Sequence, residues 1–146
     1  MPSFIGRYDY SIDHKGRLNI PAKFRKNIDP ESQETFVITL GLEGCLFAFP
    51  LSEWSQVEAK IRELPITQKR NRFFVRTLTS HASDSRIDSQ GRITIPQKLL
   101  ELARVNKEVV IIGVLGRIEI WAPDRYETYE KDFGMSYEEV AEDILL

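Results

Sequence analysis

The ten residues IDHKGRLNIP at 12–21 return as IDSQGRITIP at 87–96, with Ile, Asp, Gly, Arg, Ile and Pro at matching places. Such a duplication limits the fold before any element is assigned, because each copy is a unit that must find a partner for its apolar face. It extends further along the chain: VITLGLEGCLFAF at 37–49 answers VIIGVLGRIEIW at 110–121, with Gly41 and Gly44 against Gly113 and Gly116. The offset falls from 75 to 72 between the two blocks, so three residues have been lost. Two copies are too few for a solenoid and suit a pseudo-symmetric pair sharing one core. At 146 residues the chain has the length of one domain, and either half alone would bury too little surface.

Each copy reads strand, tight turn, strand, short helix, strand, turn, strand and longer helix, a mixed α+β class that is mainly β. Tyr8, Tyr10 and Ile12 alternate with Arg7, Asp9 and Ser11, and Leu18 and Ile20 alternate with Arg17 and Asn19, the period of half-buried strands. Between them, DHKG and its counterpart DSQG place Asp first and Gly fourth. That is the pattern of a type I turn whose glycine, Gly16 or Gly91, takes positive φ and closes a hairpin with a bulge. Pro21 and Pro96 mark the change from strand to helix, since proline is tolerated at the first helical position. PAKFRKNI and PQKLLELA then predict short helices packing Phe24, Ile28, Leu99, Leu100 and Ala103. VVIIGV, CLFAF and IEIW are buried strands by composition, with G-x-x-G punctuating the hairpins.

Leu51, Trp54, Val57, Ile61 and Leu64 fall at helical spacing up to Pro65, with Ser55 and Glu58 spaced as a capping box. A second helix is predicted from Thr67 to about Leu78, carrying Lys69, Arg70, Arg72 and Arg76 beside Phe73, Phe74 and Leu78. Those phenylalanines read as core. The last helix starts near Asp124, and SYEEVAEDILL beyond it reads as an amphipathic docking segment or a frayed tail. The organisation is thus a first repeat over 7–53, a helical linker over 54–81, a second repeat over 82–125 and a C-terminal helix with acidic tail over 126–146. The two repeats form one compact unit.

A net charge of −2 hides an uneven distribution. Residues 1–28 carry six Lys/Arg against two acids and 60–104 carry ten against four, whereas 29–59 hold six acids without a base. Both copies of the motif lie in basic segments, where a nucleic acid would be attracted. No apolar run reaches the length of a membrane span, Met1 to Tyr10 does not read as a signal peptide, and the single cysteine, Cys45, excludes an intramolecular disulfide. These features predict a cytoplasmic protein without a membrane partner.

Asp13 and Asp88 satisfy the turn geometry, but such a turn makes no demand for arginine directly after glycine, and both copies supply it as Arg17 and Arg92. Near a hairpin tip, beside Lys15 in one copy and Gln90 in the other, a planar guanidinium suits guanine O6/N7 or a phosphate. The aspartate would hold that fork in one rotamer; the plain alternative is an inert surface ion pair. Catalysis is improbable. The chain has no dense carboxylate cluster or metal-ligand spacing, so no catalytic residue, metal, cofactor or small-molecule substrate is assigned. His14 and His81 are not equivalent in the repeat: His14 is expected in solvent, and His81 packed near the second-repeat strand. Cys45 reads as a small buried apolar residue.

The paired D-x-x-G-R-[IL]-x-I-P blocks, with HAS ahead of the second, KEVVIIG behind it and EIW after that, closely resemble the MraZ family of bacterial transcriptional regulators. The similarity runs from about Phe4 to Tyr129. One block alone would indicate only the wider AbrB/SpoVT superfamily. The resemblance implies two halves intertwined as a pseudo-twofold swapped-hairpin (double-split) β-barrel, a homo-oligomeric ring, and nucleoid-associated binding to double-stranded DNA. The expected target is tandem guanine-rich repeats ahead of the division and cell-wall gene cluster, usually with repression. It also implies that Asp13 with Arg17 and Asp88 with Arg92 mark the DNA-contacting loops. Gln90 makes the second turn less basic than the first, and Leu100 stands where relatives often carry a basic residue. A different class, a non-catalytic oligomeric scaffold or antitoxin-like module, would use the repeats for assembly alone.

Overall fold

The computed structural model describes residues 2–145. The alternating stretch before the first motif forms β1 (Phe4–Ser11), and the residues after its turn form β2 (Arg17–Asn19). A single helical turn, α1 (Ala22–Arg25), follows Pro21 and buries Phe24. Next come β3 (Thr35–Leu40) and β4 (Leu46–Pro50), then helices α2 (Leu51–Arg62) and α3 (Lys69–His81). The second copy repeats the order as β5 (Ser83–Arg86), β6 (Arg92–Thr94), α4 (Gln97–Leu102), β7 (Glu108–Leu115) and β8 (Arg117–Trp121). Helices α5 (Pro123–Asp132) and α6 (Tyr137–Leu145) complete the chain.

The repeats do not fold side by side. β1 of the first copy runs antiparallel to β7 of the second, with Tyr8 opposite Ile111, while β5 of the second pairs with β3 of the first, with Phe36 opposite Ser85. β2 and β6 pair with each other and put Leu18 opposite its repeat equivalent Ile93. β4 and β8 do the same with Phe47 opposite Glu119. A pseudo-twofold axis therefore passes through these two pairs. Each half leaves its first strand unpaired within itself, and the ladder hydrogen bonds that strand needs come from the other half.

This pairing alters two expectations. The tight turn does not fold β2 back on β1: Asp13 N–H donates to Arg17 O at 3.1 Å, after which β2 diverges to β6. The strands also do not close into one barrel ladder. A six-stranded antiparallel sheet in the order β1-β7-β8-β4-β3-β5 and a two-stranded β2-β6 ribbon stand as separate sheets. Core side chains bridge them. Phe24 meets Phe4 edge to face with centroids 5.3 Å apart and Phe36 lies tilted against Phe4 at 6.2 Å, in one core with Leu18, Ile20, Ile93, Ile95, Leu99 and Ile111, all essentially without exposure. Each such side chain contributes about 1.5–3 kcal/mol on burial.

A smaller cluster of Cys45, Val110 and Trp121 lies under α5, closed by Tyr126 and Tyr129. Burial pushes the Cys45 thiol up to about 12, so it is inert as a nucleophile at neutral pH. Gly41, Gly44 and Gly116 flank hairpins as expected, whereas Gly113 lies inside β7 opposite Gly6, where an added Cβ would meet the backbone of Phe4 and Ile5.

The linker corrects the sequence reading in three places. α2 begins at Leu51, so Ser55 is one turn inside it and its hydroxyl donates to Leu51 O at 3.1 Å; Ser55 and Glu58 form no capping box. The second helix runs Lys69–His81 rather than from Thr67. Phe73 and Phe74 are not core: they are 72% and 48% exposed.

Candidate nucleic-acid interface

In the first turn Asp13 uses both carboxylate oxygens. Oδ1 accepts the backbone N–H groups of Lys15 (3.0 Å) and Arg17 (2.8 Å), and Oδ2 accepts Arg17 Nε–H at 2.6 Å. Gly16 donates to Asp13 O at 3.0 Å with φ at +78°, the type I turn with a left-handed glycine that the spacing predicted. The second turn repeats this: Asp88 Oδ1 accepts Gln90 and Arg92 N–H at 2.9 Å each, Oδ2 accepts Arg92 Nε–H at 2.9 Å, and Gly91 has φ +79°. Aspartate is required here because one side chain must satisfy two backbone donors and a guanidinium at once. Asparagine would place an N–H₂ where an acceptor is needed.

Pairing of β2 with β6 draws the two turns together, and Asp13 Oδ2 lies 4.0 Å from Arg92 Nη1 as well as beside its own arginine. Four charged side chains thus form one cluster across the pseudo-twofold axis. Backbone hydrogen bonds from the turn, more than the arginine charge, hold the Asp13 carboxyl well below its usual range, down to about 2 despite opposing burial. Asp88 is lowered by the equivalent donors of its own turn, first the backbone N–H of Arg92, then the Arg92 side chain and the backbone N–H of Gln90.

The arginines do not stand out from the tips as the sequence suggested. Their side chains are 30% and 20% accessible, leaning back so that Nε meets the aspartate. Such an Nε anchor fixes the plane of the group; in Arg17 it leaves the far edge, Nη1 and Nη2, as the end-on donor pair, whereas Arg92 Nη1 also faces Asp13 across the axis. Among the described residues, neither Nη of Arg17 engages a hydrogen-bond acceptor. Lys15 and Gln90 are exposed beside them, as is His14. His81 is half-buried at the end of α3, its Nδ1 2.8 Å from Thr77 O.

Arg25 was missed by the motif. Projecting from α1 of the first repeat, its guanidinium covers the face of Gly91 in the second turn, so that an added Cβ there would collide with it. The corresponding position over Gly16 is held by Leu100, the repeat equivalent of Arg25 at an offset of 75. Each tip therefore receives one extra basic side chain by a different route: Lys15 from its own turn in the first, Arg25 from the opposite repeat in the second. A shallow pocket of about 430 Å³ beside the second tip is lined by Arg25, Arg86, Asp88, Ser89 and Gly91 together with Glu34. Comparing residues 25 and 100 across the repeat would have pointed to Arg25, but only the exchange of strands carries it to the other turn.

Among the described residues there is no group of three or more metal-ligating side chains, and no helix is long and apolar enough to cross a membrane.

Two consecutive matches to one family model, described as "MraZ protein, putative antitoxin-like", cover residues 3–77 and 78–146. The chain is 51% identical over 142 residues to the transcriptional regulator MraZ of Pelotomaculum thermopropionicum, covering 97% of this chain and 95% of that protein. It is 48% identical over 139 residues to the transcriptional regulator MraZ of Acetivibrio thermocellus, covering 95% and 94% of the two chains. With the protein of that name from Lactobacillus delbrueckii subsp. bulgaricus it shares 47% over 141 residues, 97% and 96% of the respective lengths. These relatives carry the name of a regulator, not of an enzyme. A duplicated Asp–Arg turn, a fold in which the halves exchange strands, and matches across nearly the whole length lead to one conclusion: the chain belongs to the MraZ family.

Proposed function

We propose that this protein is a sequence-specific DNA-binding transcriptional regulator whose two Asp–Arg turns contact the duplex, with Arg17 and Arg92 reading bases or phosphates. The observation that carries the reading is the paired geometry: two equivalent guanidinium groups, each fixed through Nε by a turn aspartate, meet at one pseudo-twofold axis with Lys15 and Arg25 beside them. Asp13 and Asp88 position the arginines, Gly16 and Gly91 permit the turns, and Gln90 stands where Lys15 does in the first turn. The pairing of β2 with β6 and of β1 and β5 with the opposite repeat supports a swapped-hairpin barrel as the frame, built from repeats at 7–53 and 82–125 with helical segments at 54–81 and 126–146.

One pair of tips covers little DNA, and a net charge of −2 provides little long-range attraction. Affinity then depends on repetition. A homo-oligomeric ring meeting tandem guanine-rich repeats would make later contacts intramolecular, raising avidity by about a hundredfold or more over a single contact. The target is the promoter region ahead of the division and cell-wall genes and the outcome repression, in the cytoplasm at the nucleoid, without a cofactor or small-molecule substrate.

The test is a salt-titrated gel shift with guanine-rich tandem repeats against scrambled DNA. Arg17→Ala and Arg92→Ala should each lose about 1–3 kcal/mol per engaged contact together with site preference if they read guanine. If they touch phosphate, binding should weaken on every sequence and the log–log salt slope should fall by about 0.9 per contact. Equal affinity of the wild type for both DNAs, unchanged in both variants, would leave only the scaffold or antitoxin-like reading.

A further inference from the structure

The two turns differ in charge although their backbones match. The first sets Lys15 and Arg17 against Asp13, while the second has only Arg92 against Asp88, with Ser89 and Gln90 where His14 and Lys15 stand. Arg92 is also the more confined arginine, 20% accessible against 30% for Arg17, with Asp13 facing it across the axis at 4.0 Å. Arg25 offsets this weakness. On Gly91 the place of a Cβ is taken by its guanidinium, whose Cζ lies 2.8 Å from where that atom would be. The group is seated by packing and not by an acid: among the described residues the Arg25 side chain makes no hydrogen bond or ion pair. An exposed guanidinium held in place with all its donors unspent is preorganised for an anion.

Two hollows share Arg25 in their walls. The one toward Ser89 also holds Asp88 and Glu34, whose carboxylates oppose an anion. The other, of about 430 Å³, is lined by Tyr10, Ser11, Asn19, Ile20 and Ala22 with Arg25, and no acid is in its lining. It adjoins the second tip, because Asn19 stands opposite Arg92 in the β2-β6 ribbon and Ile20 N–H donates to Gly91 O at 2.9 Å. Ser11 Oγ already donates to Glu108 at 3.2 Å. That leaves Arg25 and the exposed Asn19 as the side-chain N–H donors of this hollow.

We propose that the hollow between Arg25 and Asn19 is a subsite for a backbone phosphate of the DNA, so that the second tip anchors the duplex while Arg17 discriminates bases at the first. The guanidinium fork suits two phosphate oxygens, and the neutral amide adds one further donor. Phosphate contacts of this kind fix register and orientation without carrying sequence information. At the first tip the equivalent of Arg25 is Leu100, which is buried and has no charge to offer, so the anchor has no counterpart there. Each chain thereby meets DNA with a reading end and a holding end, and the pseudo-twofold axis is broken in function although it holds in the backbone. The inference rests on the DNA-binding reading above and adds to it a contact outside both Asp–Arg turns.

Salt-titrated fluorescence anisotropy of the full chain on guanine-rich tandem DNA and on scrambled DNA tests it, with urea midpoints showing that each variant is folded. Arg25→Gln should weaken binding to both DNAs by the same factor and make the log–log salt slope shallower by about 0.9 per engaged contact. Arg25→Lys keeps the charge and should keep the slope. Asn19→Ala should weaken both DNAs equally at unchanged slope, because a neutral donor releases no counterion. Arg17→Ala should instead lower the ratio of tandem to scrambled binding. An Arg25→Gln chain with the wild-type slope, or one that loses tandem binding alone, overturns the phosphate subsite. So does an Asn19→Ala chain that binds as the wild type does, or an Arg25→Lys chain as weak as Arg25→Gln, which would make the role one of packing. A Lys23→Gln control with an equal change of slope would trace the effect to overall charge and overturn it too. If Arg17→Ala keeps the ratio, the division between the tips fails. A wild type that binds neither DNA overturns the DNA-binding reading together with the subsite, whereas loss in Arg17→Ala with none in Arg25→Gln overturns the subsite alone.

Discussion

Gly16 and Gly91 hold equivalent places in the repeat but answer differently to a methyl group. Both have φ near +80°, which costs an L residue about 1–3 kcal/mol. An added Cβ on Gly16 would stand 2.5 Å from the carbonyl oxygen of Ile95, backbone that cannot yield without disturbing the β2-β6 ribbon. On Gly91 it meets the end of the Arg25 side chain, which can swing away. Urea unfolding should therefore show Gly16→Ala clearly more destabilising than Gly91→Ala; equal losses would contradict the assigned neighbours. The aspartates make a second prediction. Because the folded Asp13 carboxyl lies at about 2 against 3.8 for a free side chain, its contribution to stability is fully present above about pH 4. It is lost as pH falls through about 2, where the protonated group releases the Lys15 and Arg17 amides. Asp13→Asn should be less stable at pH 7 and should flatten the dependence of stability on pH across that acid window, read as urea midpoint against pH.

At the scale of elements, α2 shows how a local pattern can mislead. Ser55 and Glu58 have the spacing of a capping box, but Pro50 ends β4 and α2 starts directly at Leu51, before the capping residues are reached. Ser32 anchors that start instead: its Oγ accepts Ser52 N–H at 3.1 Å and donates to Asp29 Oδ1 at 2.6 Å, a contact made across twenty residues. Ser55→Ala should leave stability unchanged or raise it by up to about 0.5 kcal/mol, the gain in helix propensity, whereas a true cap would cost about 1 kcal/mol. Thermal melting separates the two. The phenylalanines of α3 failed for a related reason. Helical period identifies an apolar stripe but not what covers it, and for α3 the described chain supplies no cover.

For the molecule as a whole, the exchange of strands makes the halves interdependent. β1 and β5 each take their ladder partner from the other repeat, and Leu18, Ile20, Ile93 and Ile95 close a single core between them. Neither 1–77 nor 78–146 should yield a folded monomer. Each alone should give an unfolded amide spectrum at low concentration, and mixing the two should restore a folded one-to-one pair. A dispersed spectrum from either half as a monomer would show that the exchange is not obligatory.

The sequence by itself determined the local chemistry. The duplication, the Asp-to-Gly turns with positive φ, the alternation of β1, the helices after Pro21 and Pro96, and the burial of Cys45 all follow from short-range rules of sterics and periodicity. The Asp–Arg pairs were legible because four residues of separation on a bulged turn bring both groups within reach. The tertiary structure decided which strand pairs with which, the backward lean of Arg17 and Arg92, the arrival of Arg25 at the opposite turn and the exposure of Phe73 and Phe74. Each depends on contacts between residues tens of positions apart, and sequence periodicity records which way a side chain points without recording what it meets there.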